Sequence, residues 1–266
     1  MEIHNSFNPA TFIAKHLKLG SIFYSLLLLL FVSNSLFAHG LSNEKPLRVL
    51  LITGGCCHNY AFQAQVLKDA LAKYKKADWT VINEGGKGTQ AVLPFFDDKN
   101  WAKGYDVVIH NECFADTQDP EYIKKITQAH FTGVPAVVIH CAIHTYRSAK
   151  TDDWREFLGV TSYKHDHQSL YPVKKAKGKH PIMNKFPDNW ISPKDELYVI
   201  EKTGSNTKIL ATSVSEVNGK TYPVIWTNQY GKARVFGTTF GHSDDTFKDV
   251  VFTDLLVRGI LWAARK

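Results

Sequence analysis

Leu47-Arg-Val-Leu-Leu-Ile-Thr53-Gly-Gly55 is the stretch on which the fold turns. An apolar run of this length, closed by two glycines, reads as a strand buried on both faces of a parallel sheet. The glycines turn the chain into a helix from about Tyr60 to Lys76, with Phe62, Val66, Leu67, Ala70 and Leu71 at helical spacing. Trp79–Asn83, Tyr105–His110 and Pro135–His140 read as further strands, and Pro120–His130 as the helix between the last two. Strands alternating with helices predict a flavodoxin-like α/β core with helices on both faces. Downstream the pattern changes. Leu170–Lys175, Glu196–Thr203, Lys208–Val214, Tyr222–Asn228 and Ala233–Thr239 read as strands with few helices between them, an antiparallel extension. Gly204–Asn206 and Gly231–Lys232 read as hairpins or tight turns, and Thr246–Ala264 as the closing helix.

Ahead of this core, Lys15, His16 and Lys18 precede an apolar run from Ile22 to Val32, and small and polar residues lead to Ala38. That order is the pattern of a secretory signal peptide cut near Ala38 or Ser35. The run of about 11 residues is short of the roughly 20 that span a bilayer. Residues 1–38 are therefore expected to direct the chain to the periplasm or outside the cell. Membrane contact is expected only through an uncleaved signal segment. Residues 39–266 suffice for one domain, and no linker or repeat divides them.

The formal charge of +7 is spread over scattered lysines. The runs at Lys73–Lys76 and Lys174–Lys179 are not interleaved with aromatics and arginines, so a nucleic-acid partner is not expected. Glu84-Gly-Gly-Lys-Gly-Thr89 lacks the spacing of a phosphate-binding loop. Cys56, Cys57, Cys113 and Cys141 each follow a strand, where chemistry is expected before stapling, with one disulfide, involving Cys113, as the alternative.

Ligands of open α/β sheets bind beyond the carboxyl ends of the strands. Those ends carry Gly54, Gly55, His58, Asn59 and Tyr60, then His110, Asn111 and Glu112, then His140, Cys141 and His144, and finally His242 and Asp244. His165 and His167 fall on an expected loop; His130 and His180 are assigned to surface or turn positions. Three uses compete for such a cluster. One is a divalent metal, zinc or similar, on His110, Glu112, His140 and His144, imidazole being a common ligand for such ions. Another is general acid–base work on a carbonyl or polyhydroxylated substrate, with Tyr60, Tyr146, Arg147, His165 and His167 as binding groups and the Gly54–Gly55 turn bringing backbone N–H groups to a ligand oxygen. The last is nucleophilic attack by Cys141, activated by His242 and Asp244. Ile139 and Ile143 crowd such an elbow, so a buried, inert Cys141 is preferred.

At these residues the chain resembles the ThuA-like family, named for trehalose utilisation. The resemblance rests on Thr53-Gly-Gly-Cys-Cys-His58, on Tyr105-Asp-Val-Val-Ile-His-Asn-Glu-Cys-Phe114, on Val137-Val-Ile-His140-Cys-Ala-Ile-His144 and on Gly237-Thr-Thr-Phe-Gly-His242. It covers Arg48 to Ala264 and implies the class I glutamine amidotransferase-like fold. Amidotransferases of that fold use a cysteine with a later His-x-Glu. Here His242-x-Asp244 keeps the spacing with Asp in place of Glu, and the glycine-bracketed cysteine elbow is missing, so glutaminase chemistry is not expected. The resemblance implies instead a carbohydrate ligand, a disaccharide or 3-keto-sugar, beside a sugar oxidoreductase partner. The resulting expectation is an exported carbohydrate-catabolism enzyme using histidine acid–base chemistry for isomerisation, elimination or hydrolysis. Non-catalytic sugar binding for a partner oxidoreductase is the first alternative, and a cysteine-dependent amidase the second.

Overall fold

The computed structural model describes residues 45–266; the segment read as a signal peptide lies outside them. Four strands open the fold: β1 (Leu47–Gly55), β2 (Ala77–Asn83), β3 (Val107–Cys113) and β4 (Ala136–Ile139). Between and after them come helices α1 (Tyr60–Ala72), α2 (Pro120–Phe131) and α3 (Asp153–Leu158). The second half supplies β5 (Val160–Ser169), β6 (Lys174–Lys175), β7 (Asp195–Thr203), β8 (Thr207–Val214), β9 (Thr221–Tyr230) and β10 (Ala233–Thr238), closed by α4 (Asp244–Lys248) and α5 (Val250–Ala263).

The main sheet runs β2-β1-β3-β4-β10-β9-β8-β6, parallel from β2 to β10 and antiparallel from β9 onward. Its first five strands have the flavodoxin order, and the antiparallel strands are the expected extension. Leu47, Val49, Leu50, Leu51 and Ile52 of β1 are fully buried, as a strand covered on both faces requires. Successive side chains of a strand point to opposite faces. On β3, Asn111 donates to Gln63 of α1, while its neighbour His110 meets His130 of α2 and packs edge-on against Trp154 of α3. The two helical layers are thereby fixed.

Two readings are corrected. His165 and His167 do not lie on a loop but on β5, which pairs with β7 as a separate two-stranded ribbon. Of the two forms expected for the turns, Gly204–Asn206 takes the tight turn, between sheets, and Gly231–Lys232 the hairpin, closing β9–β10. The closing helix is two helices. Asp249 ends α4 and accepts the Phe252 N–H at the start of α5, so its side chain restarts the helix where an uninterrupted one was expected.

Candidate active site

Strands β1 and β4 end in backbone that only particular residues tolerate. Gly55 has φ +94°, and a Cβ there would lie 2.4 Å from the Cys113 carbonyl oxygen, so this turn admits no side chain. Beyond it Cys57 (φ 84°), and after β4 His140 (φ 47°), hold left-handed conformations that cost non-glycine residues roughly 1–3 kcal/mol each. These turns, with the loop after β10, bring His58, His140 and His242 together, their ring centroids 4.9–5.4 Å apart.

The ribbon supplies the facing wall. Glu196 of β7 places Oε1 3.2 Å from His242 Nδ1, and Oε2 3.6 Å from both His140 Nε2 and His165 Nδ1. Tyr198 stacks on His144 at 3.9 Å and sets its hydroxyl 3.5 Å from His140 Nε2. The pocket between them has a volume of about 210 Å³ and is lined by His58, His144, His165, His242, Glu196, Tyr198, Arg147 and the four cysteines. An open cleft of about 640 Å³ adjoins it along Gly55, His58, Asn59 and Tyr60. Hollows of about 570 and 690 Å³ lie elsewhere, by the Gly204–Asn206 turn and among Lys175–Lys185. Neither gathers several imidazoles around a carboxylate, so the small cavity is the candidate site.

Burial, reinforced by its histidine neighbours, pushes the His58 imidazole down to about 3. Burial likewise takes His140 down to about 4, Glu196 acting against it, and pushes His144 down. His242 is raised by the adjacent Glu196. Burial acts to raise Glu196, but contact with His242 and the neighbouring imidazoles outweighs it and holds the carboxyl below its ordinary range. Behind the pocket, fully buried Asp195 accepts from the Gly241 and His242 N–H groups and from Thr246 Oγ1, and burial still pushes its carboxyl up to about 6.

Several expected residues stand outside this pocket. His110 and Glu112 form a buried pair at 2.9 Å beneath the α2–α3 layer. His130 is no surface residue: it is fully buried, stacks on Phe157, donates from Nδ1 to the Val134 carbonyl, and accepts at Nε2 from His110. The quartet His110, Glu112, His140 and His144 is therefore not a metal set. Strand parity turns the first two away, and the Tyr198 ring packs against both His140 and His144. Nor do His140 and His144 share a helix face, because residues 140–143 form a 3-10 turn.

Tyr146 is buried against Trp154 and Tyr122, and Asn111 against Gln63; neither faces the cavity. Tyr60 donates its hydroxyl to the Cys56 carbonyl. Asn59 caps α1 and ties it to Asp244, so that helix start is already satisfied and Asp244 is not the carboxylate partner of His242. Gly54 serves close backbone packing, its Cβ position lying 2.4 Å from the Glu84 carbonyl oxygen. His167 pairs with exposed Glu216, away from the site. The sulfurs form two disulfides, Cys56–Cys57 and Cys113–Cys141, where at most one was expected, and a bridged Cys141 has no thiolate with which to attack.

Asp195, Glu196 and Tyr198 were missed, as was Gln168, whose amide sits 2.7 Å from His242 Nε2. The signal was present in Asp195-Glu-Leu-Tyr198, where two adjacent acids open an otherwise apolar strand.

His130 permits a clean test of burial. Burial, with the charge of His110, takes its imidazole down to about 3, so the native state refuses a proton that the unfolded chain accepts near its ordinary value. The stability it contributes is complete above about pH 6.5 and lost as pH falls toward 3, by up to about 1.4 kcal/mol per pH unit. Thermal melts across that window should fall with acidification, and less steeply in His130→Gln. Equal slopes would show that this histidine is not held neutral.

A flavodoxin-type core with a histidine–carboxylate pocket at its strand ends defines the class: an α/β protein of the glutamine amidotransferase-like fold without the free cysteine of an amidotransferase. Residues 48–263 match the family model for ThuA, trehalose utilisation, and the chain belongs to that family. A putative ThuA-like protein from Parabacteroides merdae superposes with a TM-score of 0.65 at 23% identity, over 83% of this chain and 90% of that one. Another from Bacteroides uniformis gives 0.62 at 16% identity, over 83% and 93%. A putative GMP synthase protein from Thermoplasma acidophilum gives 0.54 at 10% identity, over 84% and 96%, a likeness of fold alone. No curated protein matches.

Proposed function

We propose that this chain is an exported carbohydrate-catabolism enzyme that moves protons on a glycoside, disaccharide or 3-keto-sugar. The observation that supports it is the Glu196 carboxylate, kept ionised and ringed by His140, His165 and His242 at the carboxyl end of a parallel sheet. An ionised carboxylate beside a protonatable imidazole is an acid–base pair. A carbonyl at sugar C3 acidifies the C–H at C2. Glu196 takes that proton, the electron pair forms the enolate, and expulsion of the C1 oxygen, protonated by His165 or His242, completes an elimination. Transfer of the O2 proton to O3, with return of the abstracted proton to C3, completes instead an isomerisation to the 2-keto sugar.

A cavity of about 210 Å³ is the scale of one sugar ring, and the cleft by Asn59 and Tyr60 leaves room for the remainder of a glycoside. Arg147 and Tyr198 line the same cavity. An oxidoreductase that makes the 3-keto group is the partner this chemistry requires. The test is to incubate the protein with 3-keto-glucosides in D2O and follow exchange at C2 and release of the aglycone by NMR. Exchange or release above the buffer rate is expected. Saturable binding without either would leave a sugar-binding protein and overturn the enzymatic reading.

A further inference from the structure

The same pocket holds a second arrangement, which rests on reading it as the functional site. We propose that His58, His140 and His242 hold a divalent transition-metal ion of the zinc type, with a coordination position open to the cavity. Each of the three offers a ring nitrogen, and these nitrogens lie within 4.8 Å of one another. A tetrahedral zinc site with bonds of about 2.0–2.1 Å sets its nitrogens roughly 3.4 Å apart, so small ring movements close it.

The surroundings are those of ligands. A histidine that binds metal through one nitrogen is oriented by donating the other N–H to a carbonyl or carboxylate. His58 Nδ1 donates to the His242 carbonyl at 3.1 Å, and His140 Nδ1 donates to the Thr239 carbonyl at 2.7 Å. Both rings are thereby fixed with the Nε2 lone pair unprotonated. His242 Nδ1 faces Glu196 Oε1 at 3.2 Å, the carboxylate partner that orients a ligand ring, and its Nε2 lies 2.7 Å from the Gln168 amide, which a metal ion would displace. The three rings come from the ends of three different strands, and the left-handed backbone at His140 helps aim one of them.

A rival set, His58 with Cys113 and Cys141, shares the first residue. Its sulfurs are bridged to each other and offer no thiolate, so the three-imidazole set is the one with donors ready. An all-nitrogen set selects zinc, copper or nickel over magnesium and calcium. The ion would polarise the sugar carbonyl oxygen and stabilise the enolate while Glu196 removes the proton.

The test uses tag-free protein with its disulfides intact, loaded with zinc, desalted without reductant and measured by elemental mass spectrometry. Wild type and the exposed control His167→Gln should each retain about one zinc per chain, and cobalt loading should give the intense visible bands of a four-coordinate ion. His58→Gln and His242→Gln, on rings only partly buried, should lose at least about tenfold in occupancy with circular dichroism unchanged. Fewer than about one zinc per ten loaded chains, or full occupancy in the double variant, would overturn the site. Assaying keto-sugar exchange on the same samples separates the two proposals. Zinc at these residues without exchange upholds the metal site and overturns the enzymatic reading; exchange by protein that retains no zinc after loading does the reverse.

Discussion

Glu196→Gln should lower proton exchange from a 3-keto-sugar by about 10³-fold, within the 10²–10⁴ that a positioned base contributes. The amide keeps the volume and planarity of the carboxylate, so KM should change far less than kcat. It cannot accept a proton, and it removes the negative charge that raises His242. The acid limb of the wild-type pH–rate profile, set by Glu196 below the ordinary carboxylate range, should vanish with it. Folding should be nearly unaffected, because the neutral amide can still hydrogen-bond the surrounding imidazoles. A variant that exchanges at the wild-type rate would remove Glu196 from the chemistry and leave His165 as the remaining candidate base on the ribbon.

Asp195→Ala should have the largest effect on stability, about 3–5 kcal/mol, the scale for removing one partner of a buried, charge-assisted network. Its carboxylate is fully buried and accepts from four donors: Gly241 N at 2.9 Å, His242 N at 3.2 Å, Thr246 Oγ1 at 2.6 Å and Glu196 N at 2.8 Å. Alanine leaves those donors without an acceptor and frees the loop that presents His242. Asp195→Asn retains one oxygen acceptor and should cost less than half as much. Urea unfolding followed by tryptophan fluorescence measures both. An alanine variant within about 1 kcal/mol of wild type would mean that water or backbone movement satisfies the loop, and that Asp195 does not position it.

The parallel core was legible because its evidence is local: apolar strands, glycines at their ends and amphipathic helices between them. The convergence of His58, His140 and His242 followed from the same reading, since the carboxyl edge of a parallel sheet is set by connectivity. What failed was parity. Placing His110 and Glu112 at the edge required knowing which face of β3 each side chain takes, and that face is covered by Trp154 and Phe157 from a helix forty residues downstream. Position near a strand end counted them as pocket residues, although the strand continues to Cys113. The ribbon was lost for a different reason. The β5 sequence, with its lysine, histidines and aspartate, carries no apolar alternation because its outer positions face water. Without β5 there was no reason to look at the residues that open β7, and so the principal acid escaped notice.

The separation of that ribbon from the eight-stranded sheet divides the pocket between two backbones. Two kinds of part meet at the cavity: three imidazoles at the ends of the main sheet's strands, and a two-stranded ribbon bearing His165, Gln168, Glu196 and Tyr198. Substitutions at its pocket-facing side chains are expected to reshape one wall of the cavity, whereas Asp195 and the buried Leu197, Val199 and Ile200 tie the same ribbon to the core. A change of that wall leaves the three imidazoles where the main sheet's strands put them.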